Sequence, residues 1–325
     1  MSRLVPVFLT GFTFGFQPSA QLSLSFKPDY NAVMTHSDDP KTSAVATSFP
    51  TGSQAPWQPV VIGATGGSGT RAFHGIMGAL GLFMGTRVNG AGDAMDFEPF
   101  LDRWINPLIS KQRSLDYDWH QVSWWDRRRV SKSFTAAMHR FQADRTNNQP
   151  WGWKNPRSMY VLPAIAATTP GIRFIHVLRD GRDMAFSDNQ NQRRKHYAAL
   201  FGADTMNGQT AETPAASAAL WAAANGQVAD WCDQHLGALR YYRIRFEDLC
   251  ADPGNEVARL ALWLFGQRRV LDQQVSAAAA TVQRAPSTMG RWRQQPIGDQ
   301  TAVTEAAAPA LKRFGYMTEE TEKLL

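Results

Sequence analysis

The sequence predicts an α/β domain with a mainly parallel central sheet flanked by helices. Three observations carry that prediction. The apolar run Val60–Ile62 meets a burst of Gly, Ser and Thr and then a helical pattern, which is how a buried strand joins a helix. Ile172–Leu178 reads as an apolar strand buried on both faces of a parallel sheet, again with helix after it. Strand and helix then keep alternating towards the end of the chain, a pattern that favours parallel pairing.

Taken in order, residues 1–57 are rich in Ser, Thr, Pro, Asp and Gly without a sustained period, and read as an extension, largely disordered or wrapped on the surface. Residues 58–325 form the expected domain. Val60–Thr65 is its first strand. Arg71–Met84 is a helix packed closely through Gly75, Gly78 and Gly81, and Glu98–Ile109 and Ser131–Phe141 are helical. Pro156 suits the first turn of a helix over Arg157–Thr168. After the strand Ile172–Leu178, Asp180–Gln190 returns as helix. The Ala-rich run Glu212–His235 is a long helix, "LRYYRIRF" a strand, and Asn255–Phe265 a helix. Gln283–Gly298 is polar and basic without a period, and reads as a functional loop before a terminal helix.

With 325 residues, 43% hydrophobic and 19% charged, the chain can bury a sizeable core. Its net charge of +6, from 34 Lys and Arg against 28 Asp and Glu, suits an anionic ligand but is too small and scattered to argue for nucleic acid. Arg127-Arg128-Arg129 reads as a solvated face. Cys232 and Cys250 give neither a disulfide framework nor metal spacing, and the His residues are scattered, so no metal is expected. No apolar run reaches the roughly 20 residues that span a bilayer. "LVPVFLTGFTFGF" near the start faintly resembles a signal peptide but is broken by Pro and Gly, so a cytoplasmic location is expected.

The turn Gly63-Ala64-Thr65-Gly66-Gly67-Ser68-Gly69-Thr70-Arg71 has the makings of an anion site. Backbone N–H groups and the start of the next helix point at one place, and glycines let the backbone wrap an oxyanion. Ser68 and Thr70 add hydroxyls. A Walker A loop is excluded because Thr70 stands where its Lys belongs, and the G-x-G-x-x-G spacing of a dinucleotide fold is absent. A second anion motif lies in "HVLRDGRDMAFSDNQ". Arg179 ends a strand and Ser187 follows eight residues on. On a continuous helix that is about two turns, and fork and hydroxyl could then share one phosphate. The plainer alternative pairs Arg179 and Arg182 with Asp180 and Asp183.

Together "GATGGSGTR", "WGWKNPRSMYVLPAIAATTPGIRFIHVLRDGRDMAFS" and "YYRIRFEDLCADPGNEVARLALWLFG" resemble a sulfotransferase that uses 3′-phosphoadenosine 5′-phosphosulfate (PAPS). The resemblance covers about Pro59 to Gly315, and lies nearer the tyrosylprotein and carbohydrate branch than the branch with a His base. It implies a nucleotide-kinase-like (P-loop-like) topology and metal-independent, in-line sulfuryl transfer to an acceptor hydroxyl. By the same resemblance Gly66, Gly67, Ser68, Gly69, Thr70 and Arg71 hold the 5′-phosphosulfate, and Arg179 and Ser187 hold the 3′-phosphate. "RFEDL" closes the core, with Glu247 as a structural hydrogen-bonding residue. "TMGRWRQ" folds over the nucleotide, with Arg291 a further contact and Arg293 a weaker one.

The chain departs from that family in two places. The residue before Ser68, commonly Lys or Arg, is Gly67, so another cation must serve: Lys154, 25 residues before Arg179, or else Arg71. Where several relatives place a His base this chain has Pro156, and where others place a Glu it has Asn89. Asp93 is then the expected base, with Asp96 nearby; His74 is chemically able but reads better as a structural His. The acceptor is a glycan, a phenol or tyrosine, or a small metabolite, with the Trp-rich, Arg-rich stretch "DYDWHQVSWWDRRR" as a possible cleft lining. The competing readings are a small-molecule kinase on the same fold and a non-catalytic nucleotide-binding relative.

Overall fold

Strands β1 (Val60–Gly63), β2 (Gly152–Lys154), β3 (Arg173–Leu178) and β6 (Tyr241–Arg245) form one sheet in the computed structural model, in the order β2-β1-β3-β6. The structure describes residues 57–319 except 147, 203–204, 207–208, 267–271 and 285. The expected extension and the signal-like segment lie outside the described residues, apart from Trp57. Every pairing is parallel, with Val61 opposite Trp153, Ile62 opposite Ile175 and Val177 opposite Ile244. Two short strands, β4 (Thr205–Met206) and β5 (Gln209–Thr210), make a separate antiparallel pair.

Period-two alternation divides the sheet into two buried faces. Val61, Trp153, Phe174 and Tyr241 face one layer, packed by α2 (Glu98–Gln112), α3 (Trp124–Gln142), α4 (Leu162–Thr168), α6 (Asn191–Phe201) and α7 (Pro214–His235). Val60, Ile62, Ile175, Val177 and Ile244 face the other, packed by α1 (Arg71–Ala79), α8 (Phe246–Ala251), α9 (Pro253–Phe265) and α10 (Asp272–Ala280). A third apolar cluster seats α11 (Ile297–Arg313) against α7 and against the short helix α5 (Gly181–Ala185). Helix starts carry their own chemistry: Ser123 caps α3 through the Asp126 amide, and Thr213, followed by Pro214, caps α7 through Ala216.

Several expected boundaries move. α1 stops at Ala79, because Gly81 takes φ +90° and the chain turns to bring Phe83 beside Trp151. Gly75 does meet Thr281 closely, but nothing approaches Gly78 or Gly81, so those two do not serve tight packing. The helix expected over Arg157–Thr168 begins as a 3-10 turn, Pro156–Val161. The helix expected over Asp180–Gln190 is only α5, which Asp180 caps; Ser187 lies beyond it, so the two-turn spacing argument does not hold. Strand β2 and helix α6 were not anticipated, β2 because three residues are too few to show a period.

Trp151 and Trp153 are core residues, with Trp153 stacked on Phe97 at 4.5 Å. Trp124 and Trp125 sit instead in the exposed first turn of α3, Trp125 being 66% exposed. Among the described residues no helix is long and apolar enough to cross a membrane.

Candidate active site

Because all four strands of the main sheet run the same way, their C-terminal ends share one edge, where open α/β sheets present ligand sites. The glycine turn leaves β1 there, Lys154 ends β2, Arg179 follows β3 and Phe246 follows β6. A cavity of about 690 Å³ opens along this edge. It is lined by Gly66, Gly67, Gly69, Thr70, Arg71, Asp93, Lys154, Arg179, Ser187 and Arg291, residues that the sequence spreads over more than two hundred positions.

The glycine turn has the shape of a cradle. Gly67 and Gly69 have φ of +87° and +77°, a region that L side chains enter only with strain. A Cβ on Gly69 would stand 2.2 Å from the Phe246 ring, and one on Gly67 would stand 3.4 Å from Ser187 Oγ. Ser68 departs from expectation. Its hydroxyl is buried, donates to the Thr65 carbonyl at 2.8 Å and contacts Met184 Sδ at 3.2 Å. It braces the turn from beneath and does not line the cavity. Thr70 and Arg71 do line it.

Arg179 ties two loops together. Its Nη1 donates to the Gly67 carbonyl at 3.1 Å, while Nη2 donates to Thr288 O at 2.5 Å and Thr288 Oγ1 at 2.9 Å. Its Nε is buried without a partner, and its guanidinium lies 5.4 Å from the Phe246 ring. The late loop is held from below by Asp183, whose carboxylate accepts from the amides of Gly290 at 2.7 Å and Trp292 at 3.2 Å. Burial pushes the Asp183 carboxyl upward, against those two hydrogen bonds. Arg291 reaches the cavity and donates to Thr288 O and Phe186 O, whereas Arg293 lies over Trp292 outside the lining.

At the β2 end, Lys154 is 1% exposed, and its Nζ donates to Asp93 Oδ1 at 2.5 Å and Ala91 O at 2.6 Å. Burial lowers the Lys154 ammonium; Asp93 opposes that shift and Arg71 adds to it. The Asp93 loop is itself braced. Asn89 Nδ2 donates to Asp93 Oδ2, Asn89 Oδ1 accepts from the amides of Ala91 and Asp93, and the Ala94 amide donates to Lys154 O. Gly92, at φ +77°, packs on His74, so His74 supports this loop from outside the lining, lowered by burial and by Lys154. Asp96 pairs with Arg87 away from the cavity.

The alternative pairing is real in both halves, Arg182 with Asp180 at 2.7 Å and Arg179 with Asp183 at 3.7 Å, and Glu247 is structural in its contacts, accepting from the Asp180 amide and the Tyr316 hydroxyl. Burial raises the Glu247 carboxyl. No residue of 116–129 lines the cavity, so the Trp-rich stretch is not its wall. In its place stand Glu98, Asn155, Arg157, Gln192 and Lys195, which sequence reasoning missed. Asn155 and Arg157 flank Pro156 beside Lys154, the one local signal that points to them. Among the described residues no group of His, Cys, Asp and Glu could hold a metal ion.

Fold and site thus define an α/β protein with a glycine-rich turn and an Arg179–Ser187 turn facing one cavity at the edge of a parallel sheet. Residues 59–265 match the model of the sulfotransferase family, and the chain belongs to that family. No protein of curated function matches it in sequence. Among solved structures it is similar to sulfotransferase STF1 from Mycobacterium tuberculosis H37Rv, at 17% identity and TM-score 0.44, covering 78% of this chain and 77% of that one. It is also similar to the sulfotransferase domain from the curacin biosynthetic pathway, at 13% identity and TM-score 0.41, covering 82% and 99%. Retinol dehydratase in complex with androsterone and inactive cofactor PAP gives 14% identity and TM-score 0.42, covering 82% and 84%.

Proposed function

We propose that the protein transfers the sulfuryl group of PAPS to the hydroxyl of an acceptor, within the cavity at the sheet edge. The observation that supports this most is that the Gly66–Arg71 turn and the pair Arg179 and Ser187 face one cavity, where each could hold an anionic group. PAPS carries a 5′-phosphosulfate and a separate 3′-phosphate, and one phosphate loop alone would not distinguish it from ATP. The residues fit such a ligand, because the glycine turn is a cradle that a Cβ would obstruct and Arg179 keeps a buried, unpartnered Nε.

On this reading the amides of Gly66–Thr70 hold the 5′ end, and Arg179, Ser187 and Arg291 hold the 3′ end. PAPS supplies an activated sulfur; the bond from the acceptor oxygen to sulfur forms as the bond from sulfur to the phosphate oxygen breaks. Lys154 replaces the cation missing at Gly67 and neutralises the departing oxygen, with Arg71 as a second cation. Asp93, held against Lys154, takes the acceptor's proton, since Pro156 stands where a His would otherwise serve. Catalysis then rests on positioning and charge neutralisation.

The test is thermal unfolding with 3′,5′-adenosine bisphosphate against ATP–magnesium, for wild type, Arg179→Ala and Ser187→Ala. A ligand at 100 times its Kd adds about 2.7 kcal/mol of stability. Stabilisation of the wild type by the bisphosphate, weakened in both variants, is the expected result. Stabilisation by ATP–magnesium alone overturns the reading in favour of a kinase.

A further inference from the structure

Away from the phosphate turn, the cavity wall is built from ion pairs and amides. Glu98 Oε2 accepts from Arg157 Nη1 at 2.8 Å, and Glu98 Oε1 accepts from Asn155 Nδ2 at 2.7 Å. Arg157 Nη2 donates to Asp102 Oδ1 at 2.6 Å, and Lys195 Nζ reaches the same oxygen at 3.2 Å. Asn191, one helical turn before Lys195 on α6, lines the same wall. Three segments distant in sequence meet here: the start of α2, the residues after β2 and the first turns of α6. Asn155 directly follows Lys154, so this wall adjoins the Lys154–Asp93 pair.

Two features of the wall select its ligand. The first is the absence of rings. Among the described lining residues only Phe246 is aromatic, and it lies against Gly69 and Arg179 at the nucleotide end. The second is charge balance. Arg157 and Lys195 are answered by Glu98 and Asp102, so no uncompensated cation waits for an anionic group. The pairs still hold spare lone pairs on the carboxylates and spare N–H groups on Lys195 and Asn191.

We propose that Glu98, Asn155, Arg157, Asn191 and Lys195 form the acceptor subsite, and that it takes a neutral polyhydroxylated molecule, sugar-like in its chemistry. A vicinal diol both donates to a carboxylate and accepts from an ammonium or amide, matching what this wall leaves unused. An aromatic ring would strip water from these charges and return no hydrogen bond. An anionic acceptor would have to displace Glu98 or Asp102 from Arg157. This assignment rests on the sulfuryl-transfer reading given above.

The experiment keeps the two readings apart. Full-length protein is first shown to bind 3′,5′-adenosine bisphosphate by thermal shift. Radiolabelled PAPS is then offered with glucose, maltose and trehalose, or with p-nitrophenol and a tyrosine peptide, to wild type, Glu98→Gln and Lys195→Ala. The expected result is label on at least one saccharide and none on the aromatic acceptors. Glu98→Gln should raise the KM for the saccharide at least tenfold and Lys195→Ala severalfold, with the Kd for the bisphosphate unchanged within twofold. A site built to hydrogen-bond a hydroxyl discriminates on that scale or more. Label on an aromatic acceptor, no label on any saccharide despite bisphosphate binding, or a KM that neither variant moves would overturn the subsite. Failure to bind the bisphosphate at all would overturn the donor reading and the subsite with it.

Discussion

The carboxylate of Asp183 accepts a 2.7 Å hydrogen bond from the Gly290 amide, across 107 positions of sequence. With the Trp292 amide on its other oxygen, Asp183 fixes the loop that brings Thr288 and Arg291 to Arg179. Replacing it by Ala leaves buried amides unpaired, a penalty of about 1–3 kcal/mol for each such group. Asp183→Ala should therefore weaken bisphosphate binding by at least tenfold. Hydrogen exchange at the Gly290 and Trp292 amides should quicken in the free protein; unchanged exchange would show that the loop is held some other way.

Lys154 invites a kinetic test. Removing a buried, preorganised donor to a developing charge typically costs about 10² to 10³ in kcat. Lys154→Ala should lose that much in single-turnover sulfuryl transfer, with the Kd for the bisphosphate little changed. Lys154→Arg should recover little, because the Nζ fits between Asp93 Oδ1 and Ala91 O at 2.5 and 2.6 Å, too close for a planar fork.

Gly69 joins backbone conformation to packing. Gly69→Ala meets the Phe246 ring and must also hold φ near +77°. Calorimetry should find bisphosphate binding lost. Adding Phe246→Ala relieves the contact but not the dihedral strain of roughly 1–2 kcal/mol, so the double variant should recover only part of the affinity. Full recovery would mean that the dihedral is not strained.

Acid should destabilise the fold through two buried histidines. His176, bonded to Tyr241 and Asn225, and His196, bonded to Asn106, are both pushed down to about 3 by burial. Below about pH 6.5 the unfolded chain takes up these protons while the folded one does not, so stability is complete above that pH and falls as pH drops towards 3. Each group contributes a slope of about 1 kcal/mol per pH unit. Urea unfolding between pH 7 and pH 4 should show this, and His176→Gln should flatten the slope by close to one proton.

Three of the four strands of the sheet were legible in the sequence because strands buried on both faces are rich in apolar residues and turn signals punctuate them. Val60–Gly63, Arg173–Leu178 and Tyr241–Arg245 fall inside the expected strands. The cavity brings together Gly66, Gly67, Gly69, Thr70, Arg71, Asp93, Lys154, Arg179, Ser187 and Arg291 as chosen from sequence. Ser68 shows one limit of such reading, since a hydroxyl in a phosphate-type turn can face either way and here Met184 and Thr65 draw it inward. Glu98, Arg157 and Lys195 show another. Each is an ordinary charged residue in the first turns of its element, and only the packing of α2 against both α6 and the Pro156–Val161 turn makes them neighbours.

One consequence follows from Arg179 gripping both the first turn and the last loop. During synthesis the sheet strands are complete once Arg245 has left the ribosome, yet Thr288 and Arg291 emerge more than forty residues later. A nascent chain halted between those points has the glycine cradle without its cover. On the proposed reading, nucleotide cannot act as a full template for early folding, and tight binding waits until Thr288 and Arg291 have been made.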